Sequence, residues 1–117
     1  MAENTPTWDA DRPIYRQLAD EIVTRILNQT YPEGELLPSV RQLANDFLVN
    51  PLTVARAYRE LEEYTEPRRG IGLVVKRGVR ELLLKRERAR FLKEEWPPLR
   101  ERLHALGLHV EDLLDEG

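Results

Sequence analysis

Between residues 39 and 70, side chains suited to gripping a polyanion recur at short intervals: Ser39, Arg41, Asn50, Thr53, Arg56, Arg68 and Arg69. Arginine stays charged and presents a planar fork of donors that matches phosphate oxygens and the major-groove edge of guanine. Hydroxyl and amide groups add shorter hydrogen bonds to phosphates or bases. This is the chemistry of recognition, and the groups needed for bond-making are scarce. The chain has no cysteine, and its two histidines, His104 and His109, are five residues apart, a spacing that does not align two ligands on one helical face. Gly70-Ile71-Gly72 is too short for a nucleotide-binding glycine motif and follows no buried strand. The expectation is therefore no enzyme, no metal site and no cofactor.

The chain has 117 residues, of which 41% are hydrophobic and 33% charged, enough for one core and an appendage. Its formal net charge is −3, which at first sight disfavours a polyanionic partner. The charge is unevenly placed. Residues 39–77 carry Arg41, Arg56, Arg59, Arg68, Arg69, Lys76 and Arg77 against Asp46, Glu60, Glu62, Glu63 and Glu66, a local excess of two positive charges. Such a balance predicts weak non-specific affinity and a confined basic surface. No run approaches the roughly 18 apolar residues of a membrane span, and the first residues lack a signal-peptide pattern. A cytoplasmic protein, with no membrane partner, is expected.

The elements that must position these side chains can be read from the hydrophobic period. Residues 1–12 show none and read as a flexible arm. From Pro13, placed at a first helical position, Ile14, Leu18, Ile22 and Ile26 recur every four residues. Tyr31-Pro32-Glu33-Gly34 breaks this first helix. Ser39 and Gln42 have the spacing of a capping box at the start of a second helix, whose stripe is Val40, Leu43, Ala44 and Phe47. Asn50-Pro51 opens a third, running to about Tyr64, with Val54, Ala57, Tyr58 and Leu61 facing inward. Two short helices joined by a few residues have the layout of a helix-turn-helix, although any small helical bundle shares that periodicity. The next segment, Glu66-Pro67-Arg68-Arg69-Gly70-Ile71-Gly72-Leu73-Val74-Val75-Lys76, reads as a basic hairpin, with glycines where a tight turn needs positive φ. Three helices and a basic hairpin make a winged helix.

Beyond residue 78 the pattern changes. Val79, Leu82, Leu83, Ala89, Leu92 and Trp96 fall on one helical stripe, with Phe91 beside it. Trp96-Pro97-Pro98 predicts a corner, because a double proline cannot continue a helix. Leu99, Leu103 and Leu106 mark another helix with Gly107 as its C-cap, and Val110, Leu113 and Leu114 a final turn.

In order and spacing, Pro13-Ile14-Tyr15-Arg16-Gln17-Leu18, then Gly34-Glu35-Leu36-Leu37-Pro38-Ser39-Val40-Arg41-Gln42-Leu43-Ala44, then Val49-Asn50-Pro51-Leu52-Thr53-Val54-Ala55-Arg56-Ala57-Tyr58-Arg59-Glu60-Leu61-Glu62, and finally Arg68-Arg69-Gly70-Ile71-Gly72-Leu73-Val74-Val75 resemble the GntR family of bacterial transcription regulators. The short C-terminal part is similar to the YtrA-type subfamily. The resemblance spans most of residues 13–76. One segment departs from it: between Leu61 and Arg68 the chain is about two residues shorter than the family pattern and lacks its glycine.

The resemblance implies a mainly α fold with a small β-hairpin: a winged helix-turn-helix over residues 13–77, then a helical dimerisation segment over 78–117. It implies a homodimer on a two-fold symmetric double-stranded DNA operator, usually as a repressor. It also makes Arg41 a DNA contact, with a salt bridge to a nearby acid such as Asp46 as the lesser alternative. The third helix would enter the major groove N-terminus first, bringing Pro51, Leu52 and Thr53 to the bases. Asn50 would cap that helix or donate to DNA. Ser39 and the amides behind it offer a phosphate site, and Arg56 lies one turn along. Arg68, Arg69 and Gly70 would reach the minor groove, where arginine suits the concentrated negative potential. The expected dimer interface is Val79, Leu82, Leu83, Ala89, Leu92, Trp96, Leu99 and Leu103. Two other readings stand beside this one: a winged helix used for protein contact, and a small-molecule effector of unknown identity bound near Phe91, Trp96 and the histidines.

Overall fold

The computed structural model describes residues 7–114 of the chain. These fall into two compact units, the first ending at Leu83 and the second beginning at Leu84.

The first unit opens with a docked segment, where the sequence suggested a flexible arm. The Gln17 side chain accepts from the Asp9 backbone N–H at 2.7 Å and donates to the carbonyls of Asp9 and Arg12 at 2.8 Å each. Trp8 packs on Phe47 with ring centres 6.2 Å apart. A polar side chain on α1 thus pins a stretch that has no periodicity of its own; residues 1–6, the rest of that expected arm, lie outside the described residues. Helix α1 covers Ile14–Leu27. Pro13 precedes it as the cap, with ψ of 136°, rather than occupying its first position.

Helix α2 (Val40–Phe47) begins with the expected capping box: Ser39 Oγ accepts from the Gln42 N–H, and Gln42 Oε1 accepts from the Ser39 N–H. Leu48 closes it in the left-handed region at φ 55°. Helix α3 (Pro51–Glu60) is capped by Asn50. It stops four residues short of the expected end, and a 3₁₀ turn over Glu62–Tyr64 leads straight into the first strand. That tight turn is how the shortened segment is spanned.

Strands β1 (Thr65–Arg68) and β2 (Gly72–Val75) pair antiparallel, with Thr65 opposite Val75 and Arg68 opposite Gly72. Residues 34–37 lie along the other edge of β2. Gly34 N–H donates to the Val75 carbonyl at 2.7 Å and Leu37 N–H to Leu73 at 2.9 Å, while Val75 N–H donates to Glu35 at 3.1 Å. The hairpin stem is thereby tied to the segment that leads into α2.

Leu18, Ile22 and Ile26 of α1, Leu43 and Phe47 of α2, Val54 and Ala57 of α3, and Val75 of β2 form a continuous core. Helix α4 (Val79–Arg90) starts inside this unit. Val79 and Leu83, expected at a dimer interface, are buried in that same core. The Arg80 N–H donates to the Glu33 carboxylate at 2.7 Å, and Arg80 Nε donates to the Leu27 carbonyl at the end of α1, also at 2.7 Å. The start of α4 is consequently fixed to the α1 turn, which is why its first apolar residues face inward.

In the second unit the backbone stays helical where a corner was expected. A π-helical turn over Phe91–Glu95 passes into α5 (Trp96–Ala105), with Trp96 at φ −68° and ψ −43°. Pro97 and Pro98 lie in the first turn of α5, where missing N–H groups cost least. Gly107, at φ 70°, ends α5: its N–H donates to the His104 carbonyl, and that of Leu108 to Leu103. A short α6 covers Val110–Leu113.

Candidate nucleic-acid interface

The candidate interface is built on the starts of α2 and α3. At α2 the capping box consumes the Gln42 N–H, whereas the Val40 and Arg41 N–H groups have no acceptor among the described residues. A cap uses the oxygen lone pairs of Ser39 and leaves its O–H free to donate. Two amides, a hydroxyl and the exposed Arg41 therefore share one helix end, where the helix dipole also favours an anion. Arg41 forms no ion pair with Asp46 or with any other carboxylate among the described residues. The salt-bridge role left open by the sequence is not what the structure adopts.

The start of α3 is arranged differently. Pro51 has no N–H, Asn50 Oδ1 takes the Leu52 N–H at 2.8 Å, and the Asn50 carbonyl takes that of Thr53 at 2.9 Å. Its first amides are thus spent, and side chains are what it has to offer. The structural role of Asn50 and a DNA contact do not compete, because capping occupies Oδ1 and leaves the Nδ2 donors. Leu52 is 77% exposed beside the half-buried Thr53, an apolar side chain held out in water at the leading end of a helix. Arg56 is exposed four residues further along. Tyr58 fixes α3 to α2: its hydroxyl donates to the Pro38 carbonyl, one residue before the α2 cap. Burial pushes this hydroxyl well above the ordinary tyrosine range, so it remains a donor.

Arg68, Arg69 and Gly70 are all exposed on the wing, and Gly70 at φ 73° makes the turn. A side chain at Gly70 would meet nothing within 4 Å, so the left-handed backbone, and not crowding, is what calls for glycine there. The hairpin bonds described above join the wing stem to the segment entering α2.

Three features have no counterpart in the sequence pattern. Tyr15 of α1 lies under the Arg56 guanidinium, 3.9 Å from the ring centre to its central carbon. Ile71, at the wing tip, is 63% exposed. Glu33 receives the α4 backbone, and hydrogen bonds from the Arg80 and Gly78 N–H groups hold its carboxyl below the ordinary range. Contacts between elements far apart in the chain leave no local signal, whereas an apolar Ile71 between two glycines is one.

Of the residues expected at a dimer interface outside the core, Leu82, Ala89, Leu92 and Leu99 are exposed, and Trp96 and Leu103 are half-buried. Among the described residues no cluster of metal-ligating side chains occurs, and no helix is long and apolar enough to cross a membrane.

Capped helices in tandem, α1 packed on the second of them and a basic two-stranded wing define a winged helix-turn-helix of the kind that docks on DNA. The profile of bacterial regulatory proteins of the gntR family matches residues 14–75. The chain belongs to the GntR family, as a DNA-binding transcriptional regulator of YtrA-like type. It is 31% identical over 110 residues to the HTH-type transcriptional regulator YhcF of Bacillus subtilis, covering 92% of this chain and 89% of the other. It is 33% identical over 103 residues to the HTH-type transcriptional repressor YtrA of the same organism, covering 86% and 78%. A GntR family transcriptional regulator from Listeria monocytogenes superimposes with a TM-score of 0.69 at 35% identity, over 92% of this chain and 94% of that one.

Proposed function

We propose that the protein acts as a homodimeric repressor in the cytoplasm, binding a two-fold symmetric operator. The α3 end enters the major groove, the wing lies at the minor groove, and the second unit pairs with that of another copy. The observation that carries this reading is the exposure of Leu52 at the leading end of α3, together with an Arg41 on α2 that no carboxylate among the described residues pairs with. In water an extended leucine gains nothing, whereas in a major groove it meets thymine methyl groups. Ser39, Arg41 and the free α2 amides take phosphate. Arg56 adds a contact along α3, and Arg68 and Arg69 enter the narrow groove. The repressor sense is supported by the similarity to YtrA of B. subtilis, whose name carries it.

The test is selection from a random duplex library with full-length protein at two salt concentrations. A pseudo-palindrome is expected, with half-site centres about 34 Å apart or a multiple of that distance. Failure to enrich any sequence at either salt would count against the reading and favour a winged helix that binds protein.

A further inference from the structure

Tyr15 lies outside the helix-turn-helix, yet it supports one of that motif's arginines. The tyrosine face and hydroxyl have separate partners. Arg56 of α3 stacks over the ring at 3.9 Å, and Arg16 Nε donates to the hydroxyl at 3.1 Å. The Arg16 guanidinium is farther from the ring, 5.7 Å from its centre. No carboxylate pairs with Arg56 among the described residues, which leaves the ring as its fixed neighbour.

We propose that Tyr15 is a positioning residue for DNA recognition, its ring holding Arg56 with the guanidinium edge turned toward the DNA. This rests on the operator-binding reading above. A guanidinium stacked on an aromatic face keeps all its N–H donors, because they lie in its own plane and point outward from the edge. An ion pair with a carboxylate would instead spend those donors and cancel the charge. Stacking also narrows the rotamers of a long side chain before DNA arrives, lowering the ordering cost of the contact. Arg56 follows Leu52 by four residues, which puts both on one face of α3. Helix α1 packs against α3, so the ring is supplied by an element that itself need not touch DNA. Tyr15 is half-buried and outside the hydrophobic core, so changing it opens no core cavity.

The test measures affinity of the full-length protein for the selected duplex in Tyr15→Phe, Tyr15→Leu, Arg56→Ala and the Tyr15→Leu/Arg56→Ala double variant. Tyr15→Phe keeps the ring and is expected to bind like the parent. Tyr15→Leu is expected to weaken binding roughly two- to fivefold, the range of an exposed cation–π contact. That loss should vanish when Arg56 is already alanine. Equal losses for Tyr15→Phe and Tyr15→Leu, additive losses in the double variant, or parental binding by Tyr15→Leu would each overturn the proposal. Should Tyr15→Leu lower the thermal midpoint, Tyr15→Gln serves instead, since it gives up the ring and keeps a polar group for Arg16. It should show a similar loss, and parental affinity would overturn the proposal. A parent protein that selects no duplex overturns the operator reading as well, which separates the two failures.

Discussion

Phe47 and Leu99 each lie on an apolar stripe of helical period, and the structure treats them in opposite ways. Phe47 is 1% exposed, with Trp8 of the N-terminal segment against it and the guanidinium carbon of Arg25 of α1 4.8 Å from its ring centre. Leu99 is 46% exposed on α5. The contrast extends to the two units. The first buries side chains from α1, α2, α3, β2 and the start of α4 in one core. In the second, no described residue is buried, and Phe91, Leu92, Leu99, Leu106 and Leu113 all remain exposed. One unit is stabilised by its own packing. The other presents apolar surface of the kind that association between chains removes from water, which is the observation behind the proposed homodimer.

The largest expected effect tests the first half of this contrast. Phe47→Ala should cost about 3–5 kcal/mol by chemical denaturation, as deletion of a buried aromatic does. Leu99→Ala should leave the first unit's stability unchanged while weakening self-association; equal losses in the two variants would erase the distinction between units. Next is a chain ended after Lys85, which retains Val79 and Leu83 in the core. It should stay folded, sediment as a monomer and bind the operator on the order of 100-fold more weakly through lost bivalency. A dimer that survives this truncation would move the interface into the winged helix.

Arg41→Ala should lower operator affinity by about 1.5–3 kcal/mol, the range for hydrogen bonds to charged groups. Its thermal midpoint should stay at the parental value, because no carboxylate loses a partner. A matching loss of stability would return Arg41 to a structural role. The smallest effect concerns Glu33. Its folded-state pKa is lowered, first by the hydrogen bond from the Arg80 N–H. The stabilisation is therefore fully present above its ordinary value of 4.5 and is lost as pH falls through the lower folded-state value. Thermal melts of the parent across that window should show a small increment that Glu33→Gln lacks, and identical pH profiles would exclude Glu33 as a titrating anchor of α4.

Much of the fold was legible because its signals are local. The capping box of Ser39 and Gln42, the Asn50-Pro51 start of α3 and the positive-φ glycines at 70 and 72 depend on neighbours a few residues away. The docked residues after Thr7 were not legible, since Gln17 holds them through backbone groups eight and five residues distant. The inward turn of the α4 start was not legible for a similar reason. Helical period showed Val79 and Leu83 on a stripe, but the anchors Glu33 and Leu27 that turn it inward lie 47 and 53 residues from Arg80 in the chain. The double proline predicts a corner only for a helix interior, whereas here a π-helical turn lets a new first turn begin at Trp96. Within the candidate site the charged residues were evident by type. The Tyr15 support was not, because it joins α1 to α3.

The most direct test of the central claim is the salt dependence of affinity between full-length protein and its selected duplex. Four arginines per protomer (Arg41, Arg56, Arg68 and Arg69) are assigned to DNA. At about −0.9 in log affinity per log salt for each neutralised phosphate, a dimer using all of them would give a slope near −7. A linear fall approaching that steepness, on a pseudo-palindromic site, is the predicted result. A nearly flat dependence would contradict the account, leaving these arginines as solvated surface.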